Sequence, residues 1–158
     1  MKILKKVMFL AVAVFALALS SSCSSNDSDE NQTETDYIKF KYKGTAYTFD
    51  SGYQSSGGSI QVVGMEGLDN TYKQIVLWLP SNPTVGSHTV VNDISTIGET
   101  YQATFAFQGV SNSFNATSGT IKITANNSKR IEGTFSFSGT LDGQTVEVTD
   151  GKFSIAQF

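Results

Sequence analysis

The chain of 158 residues predicts one antiparallel all-β domain over residues 37–158, of about eight strands, arranged either as a sandwich or closed into a barrel. Three observations carry that expectation. Short segments after residue 36 alternate apolar and polar side chains with a period of two, the repeat of a strand whose successive side chains point to opposite faces. All 14 glycines fall in this stretch and punctuate those segments, as tight turns between antiparallel strands require. No convincing amphipathic helix follows residue 36, and the stretch is of ordinary size for one domain with one core.

Strands are expected at residues 37–43, 46–50, 59–65, 72–79, 100–107, 119–125, 131–141 and 144–155. In the first, Ile38, Phe40 and Tyr42 share one face while Lys39, Lys41 and Lys43 share the other. The lysine row therefore faces water, and it discourages edge-to-edge pairing. Segments 46–50 and 59–65 follow across glycine-containing breaks. Ile75, Val76, Leu77, Trp78 and Leu79 are consecutive, so both faces are covered and the segment reads as a central strand with Trp78 in the core. Further on, Ile121 and Ile123 alternate with Lys122 and Thr124, and Phe135 and Phe137 with Ser136 and Ser138. Gly-Thr pairs recur at Gly44, Gly119, Gly133 and Gly139, but their irregular spacing argues against a repeat architecture.

The last two strands allow a register to be written. Asp142-Gly143 is the dipeptide favoured in a two-residue hairpin, where both turn positions need positive φ. Pairing Leu141 with Gln144 then sets Gly139 opposite Val146 and Phe137 opposite Val148, so the apolar rows agree. Beyond that point the parity changes, because Phe153 and Ile155 are odd-numbered while Val146 and Val148 are even. One inserted residue at Asp150-Gly151, a β-bulge, returns Phe153 and Ile155 to the core face opposite Ile131. A second hairpin at Asp150-Gly151 is the rival.

The N-terminus has another character. Lys2, Lys5 and Lys6 precede an apolar run from Val7 to Leu19, the layout of a secretory leader. That run falls short of the roughly 20 residues a membrane-crossing helix needs. Ser20, Ser21 and Ser22 follow, and then Cys23, the only cysteine. One reading is an ordinary leader cut within the serines, leaving a free thiol; a lone exposed thiol in an oxidising compartment has no partner. The sharper reading is cleavage before Cys23 and acylation of it. In this respect residues 1–30 resemble the leader of bacterial lipoproteins, with small residues directly before the cysteine and Leu19 four residues ahead of it rather than three. Ser24, Ser25, Asn26, Asp27, Ser28, Asp29 and Glu30 resemble the acidic export tag of Bacteroidota surface lipoproteins, and that resemblance implies an outer-membrane, lipid-anchored protein facing the cell exterior. A solvated linker is the plain alternative. The expected organisation is thus a leader over 1–22, a lipidated acidic tether over 23–36 and the all-β domain over 37–158.

Charge follows the same division. Loss of residues 1–22 removes three lysines and no acids, leaving 8 basic and 14 acidic residues. Five of those acids, Asp27, Asp29, Glu30, Glu34 and Asp36, lie in the tether without a basic residue among them. Such a segment is expected to stay extended and disordered. The domain itself holds 8 basic and 9 acidic residues, without the basic surplus of a nucleic-acid binder.

A second resemblance covers residues 84–158. Thr84-Val85-Gly86-Ser87-His88-Thr89-Val90, then Gly119-Thr120-Ile121-Lys122-Ile123-Thr124, Ile131-Glu132-Gly133-Thr134-Phe135-Ser136-Phe137 and Val148-Thr149-Asp150-Gly151-Lys152-Phe153 together look like a domain of unknown function common in flavobacterial lipoproteins. That resemblance implies a lipocalin-like or sandwich fold, and it implies no activity or site residues.

The residues offer little chemistry. His88 is the sole histidine, placed in a Gly-Ser-containing loop or strand start, and reads as a solvated loop residue rather than a base or metal ligand. No Cys/His cluster suits zinc, and no EF-hand or phosphate-cradling glycine motif is present, so no cofactor or metal is expected. Ser55, Ser56 and Ser87 lack the spacing of a hydrolase elbow and read as turn serines. Glu66 and Asp69 are the nearest carboxylate pair that could serve glycoside hydrolysis, yet Gly67 and Asn70 beside them indicate a solvated turn. Tyr47, Tyr53, Tyr72 and Tyr101 lie near strand ends, where exposed rings could stack on a glycan or a small amphipathic ligand, and a barrel interior could hold one as well. Two function classes follow: a non-enzymatic binding or structural module on a membrane tether, and, as the alternative, a glycan-active hydrolase with an unrecognised site.

Overall fold

A computed structural model describes residues 35–56, 58–107, 114–141 and 143–157. Cys23 and the stretch Ser24 to Glu30 lie outside the described residues, as do Asp142 and the leader. The domain is all-β, with strands β1 (Tyr37–Tyr42), β2 (Thr45–Ser56), β3 (Ser59–Glu66), β4 (Lys73–Pro80), β5 (Gly86–Thr89), β6 (Gln102–Phe107), β7 (Phe114–Asn115), β8 (Ser118–Asn126), β9 (Arg130–Leu141) and β10 (Gln144–Ala156). They form one antiparallel sheet in the order β5-β8-β9-β10-β1-β2-β3-β4-β6-β7.

This sheet curls into a half-barrel, and the chain stitches its two ends together. From β7, beside β6, the backbone runs directly into β8 near the opposite end of the order: Ala116 N–H donates to the Ala103 carbonyl at 2.9 Å and Thr117 N–H to that of Ser138 at 3.0 Å. Val90 adds a second stitch, its N–H bonding the Gly119 carbonyl while Val91 N–H bonds that of Tyr101, both at 3.0 Å. Backbone groups that a flat sheet would leave to solvent at its edges are thereby satisfied.

Curling turns one face of every long strand inward. Ile38 and Phe40 of β1, Ile75, Leu77 and Leu79 of β4, Phe105 and Phe107 of β6, Ile121 and Ile123 of β8, Phe135 and Phe137 of β9 and Phe153 and Ile155 of β10 belong to one buried cluster. Its rings meet edge-to-face or stacked. Tyr47 and Phe107 are 4.7 Å apart at 85°, and Phe105 and Phe107 are 5.0 Å apart at 14°. Aromatic rings in these arrangements fill the middle of the half-barrel.

The C-terminal register is the one the alternation implies. Leu141 pairs with Gln144, Gly139 with Val146 and Phe137 with Val148; the register then shifts by one residue, and Ile155 meets Ile131. Asp150, at φ +52°, is the bulged residue, and no second hairpin forms there, because Lys152 to Ala156 continue along β9. Gly143 takes φ +76° in the turn. Strand β4 is central, flanked by β3 and β6, with Val76 buried on the outer face. Trp78 departs from expectation: it lies outward beside Gln61 and Gln102, only half-buried, because Leu77 and Leu79 take the core positions on either side of it. Ser51–Ser56 prolongs β2 past the predicted end, and its hydrogen bonds to β3 hold it where its side chains carry no apolar signal.

A polar network fastens the start of the domain to its last strand. Asp36 Oδ1 accepts from Arg130 Nη2 at 2.9 Å and from the Ala156 amide at 2.8 Å. Arg130 Nε donates to Ser154 Oγ at 2.7 Å, and Ser154 Oγ donates to Glu132 Oε1 at 3.0 Å. Arg130 is buried, so its guanidinium needs these partners. Asp36, counted with the tether by charge alone, is tied into the domain.

Candidate functional site

The residues singled out for chemistry do not converge. His88 is in strand β5, not in a loop: its ring lies flat on Tyr101 with centroids 3.9 Å apart at 6°, and its Nε2 donates to the Thr84 carbonyl at 2.7 Å. The phenol of Tyr101 in turn accepts from Thr84 N–H at 3.1 Å. The imidazole is thus built into the packing of the 84–101 region. Ser55 and Ser87 lie in strands β2 and β5 rather than in turns, because ladder pairing extends over segments whose side chains do not announce it. Ser56 ends β2. Glu66 pairs with Lys73 at 3.2 Å across the β3–β4 ladder, while Asp69 opens a single 3-10 turn, so the two carboxylates serve separate local roles. Among the described residues no group of three or more His, Cys, Asp or Glu is placed to hold a metal.

Nor do the tyrosines form a stacking strip. Tyr101 is buried, and Tyr42, Tyr47 and Tyr53 are partly buried against the core. Tyr72 is half-buried beside the 3-10 turn. Rings at these inward positions gain more from the aromatic cluster than from exposure to water.

The outer face of the opposite half of the sheet carries a different arrangement. A groove of about 670 Å³, open to solvent, is lined by Lys41, Ser87, Thr120, Lys122, Thr134, Ser136, Asp150 and Lys152, with Phe135 and Gly151 as its floor. The register explains the lining. Ser87 of β5 pairs with Lys122 of β8, Lys122 with Thr134 of β9, Thr134 with Lys152 of β10, and Lys152 with Lys39 of β1. These five residues make one transverse row on one face. Thr120 and Ser136 pair in the adjoining row.

The bulge shapes the floor and the charge. At Gly151 a Cβ would lie 2.4 Å from the Phe135 ring, so the bare backbone and the ring are in direct apposition. The positive φ of Asp150 goes with an outward carboxylate that meets Lys41 Nζ at 2.9 Å. Lys122 and Lys152 are exposed and make no ion pair among the described residues. Lys39 leans over the ring of Tyr37, 5.1 Å from its centroid. The groove is therefore cationic and hydroxyl-rich, on a domain whose overall charge is nearly balanced. Like charges on directly opposed strand positions repel, and an anionic ligand would relieve that repulsion.

The separate parts of this site are visible along the chain as lysines alternating with apolar residues. Their assembly depends on the pairing of five strands drawn from residues 37–152. Comparison with known proteins adds no further guide: no protein family, no curated protein and no solved structure matches this chain.

Proposed function

We propose that this chain is a non-enzymatic binding module held at a membrane surface: exported, cut before Cys23, acylated there, and carried on the outer membrane with its domain facing the cell exterior. The leader, the small residues before Cys23 and the absence of any other cysteine support the anchor. Each buried methylene of an acyl chain contributes roughly 0.8 kcal/mol, so more than one chain is needed for a durable hold. The acidic residues Asp27, Asp29 and Glu30 support export.

For binding, the observation that carries the reading is the open groove on the outer face. Its lysines and hydroxyls are suited to holding a ligand by charge and hydrogen bonds. Catalysis asks for an acid or base positioned at a reacting atom, and the one acidic side chain lining the groove, Asp150, is engaged by Lys41.

Intact-mass analysis of protein extracted from membranes is expected to show a diacylated or triacylated Cys23 at the new N-terminus, and Cys23→Ala is expected to release the protein from membranes. An unmodified Cys23 overturns the anchor. Substrate turnover by the purified protein that Asp150→Asn or His88→Ala abolishes overturns the binding reading in favour of an enzyme.

A further inference from the structure

We infer that the groove on β5, β8, β9, β10 and β1 takes an extended acidic polysaccharide; this deepens the proposed binding role and rests on it. Charge comes first. Lys41, Lys122 and Lys152 line the groove against one carboxylate, Asp150, and Lys39 continues the row beside Lys152. The ligand is accordingly an anion, and one with several charges rather than one. Lys122 and Lys152 stand two strand spacings apart, roughly 10 Å, and Lys39 is one further spacing along. A single small anion cannot neutralise all three.

Shape indicates a polymer. The row from Ser87 to Lys39 crosses five strands, roughly 20 Å, and begins on β5, an end strand of the sheet order. One strand spacing is close to the length of a pyranose residue in an extended glycan. An extended chain with an acidic group on each sugar would therefore present charges in step with Lys122, Lys152 and Lys39.

Hydroxyls distinguish a glycan from other polyanions. Thr134 sits between Lys122 and Lys152, Ser87 lies beyond Lys122 at the end of the row, and Thr120 and Ser136 fill the adjoining row; each offers a donor and acceptors. A polyol can use them in both senses along its whole length, whereas the ionised side chains of an acidic polypeptide only accept. Single-stranded nucleic acid gains affinity by stacking bases on aromatic side chains. The one ring lining the groove, Phe135, is only 4% exposed beneath Gly151, and Tyr37 at the far end of the row is covered by Lys39, so no bare stacking platform is offered.

The test uses the full-length protein in detergent, titrated by calorimetry with polygalacturonate, poly-L-glutamate, an oligodeoxythymidylate and neutral dextran. Polygalacturonate is expected to bind in a salt-sensitive manner, at least about tenfold more tightly than the other three. The double variant Lys122→Gln/Lys152→Gln is expected to weaken it by about tenfold or more, each lysine near an anionic surface being worth about fivefold. Lys129→Gln, an exposed lysine outside the groove, leaves binding unchanged. Thr134→Val/Ser136→Ala weakens polygalacturonate and spares whatever weak poly-L-glutamate binding exists. If poly-L-glutamate or the oligonucleotide binds as tightly as polygalacturonate and the lysine variant abolishes both, the groove stands and the polysaccharide assignment falls. If no polyanion binds, or the lysine variant binds as the parent does, the groove itself is not the binding site.

Discussion

Asp36 shows how much one side chain can matter at the edge of a domain. Its carboxylate receives two donors, the Arg130 guanidinium and the Ala156 amide. If Asp36 is cut back, Arg130, whose side chain is 10% exposed, loses its Asp36 carboxylate partner and keeps Ser154 Oγ and the Thr35 carbonyl. Removing one member of a buried pair costs about 3–5 kcal/mol. Because Asp36 retains 25% side-chain exposure, Asp36→Ala is expected to lower stability in urea by about 2 kcal/mol, toward the weaker end of charged hydrogen bonds. The double variant Asp36→Ala/Arg130→Met is expected to regain part of that loss. Equal midpoints for parent and Asp36→Ala would show that the network contributes nothing. At the level of sequence, nothing separates Asp36 from the four other acids that precede Tyr37. Its distinction arises from Arg130, 94 residues away.

Among the elements, β10 most clearly records the competition between local pattern and global packing. Two apolar rows of opposite parity occur in one strand, and a single bulged residue reconciles them. Gly151→Ala would drive a methyl into the Phe135 ring, and overpacking of this kind costs about 1–3 kcal/mol. Chemical denaturation is the check, and an unchanged midpoint would mean that Phe135 has room to move. The same strand carries Lys152 directly opposite Lys39. Lys152→Thr is expected to raise stability by about 0.5 kcal/mol at low salt, with the gain disappearing in 1 M NaCl, where the Debye length is about 3 Å; a gain that persists in high salt would rule out charge repulsion as its cause. Strands with strict alternation, such as β1, β8 and β9, could be read directly from the residues, as could the hairpin at Gly143. Strand β5 could not, because Gly-Ser-His-Thr has no apolar face and exists through pairing with β8. For the same reason the groove was illegible: its lysines look like ordinary solvated positions until the ladder places Lys122, Lys152 and Lys39 in one row.

At the scale of the whole molecule, the sheet order sets how the domain must assemble. The first strand lies between the last strand and the second, so the central part of the sheet cannot close until residues from both ends of the domain have met. Such non-local pairing favours slow folding, in the range of milliseconds to seconds. Removing residues 144–158 takes away Val146, Val148, Phe153 and Ile155 from the core and both neighbours' hydrogen bonds. The truncated chain is expected to be unfolded, with no cooperative thermal transition; a residual cooperative transition would show that the β2–β6 half is stable alone. In the intact domain, amide exchange is expected to be slowest in β1, β9 and β10 and fastest in β5. The choice between sandwich and barrel was open from the residues because curl is a property of the joined sheet, visible only when Val90 and Ala116 are seen to link its two ends.

The central position of β1 also governs how the domain responds to force. A pull on the N-terminal end of the domain along the strand direction loads β1, whose ladder hydrogen bonds run to β2 on one side and β10 on the other. Tension on that strand must shear both ladders at once rather than open them one bond at a time, and the Asp36 carboxylate is the first contact to feel it. If the domain is anchored through Cys23 and holds a ligand on its outer face, as proposed, this placement of β1 makes it resistant to a sustained pull.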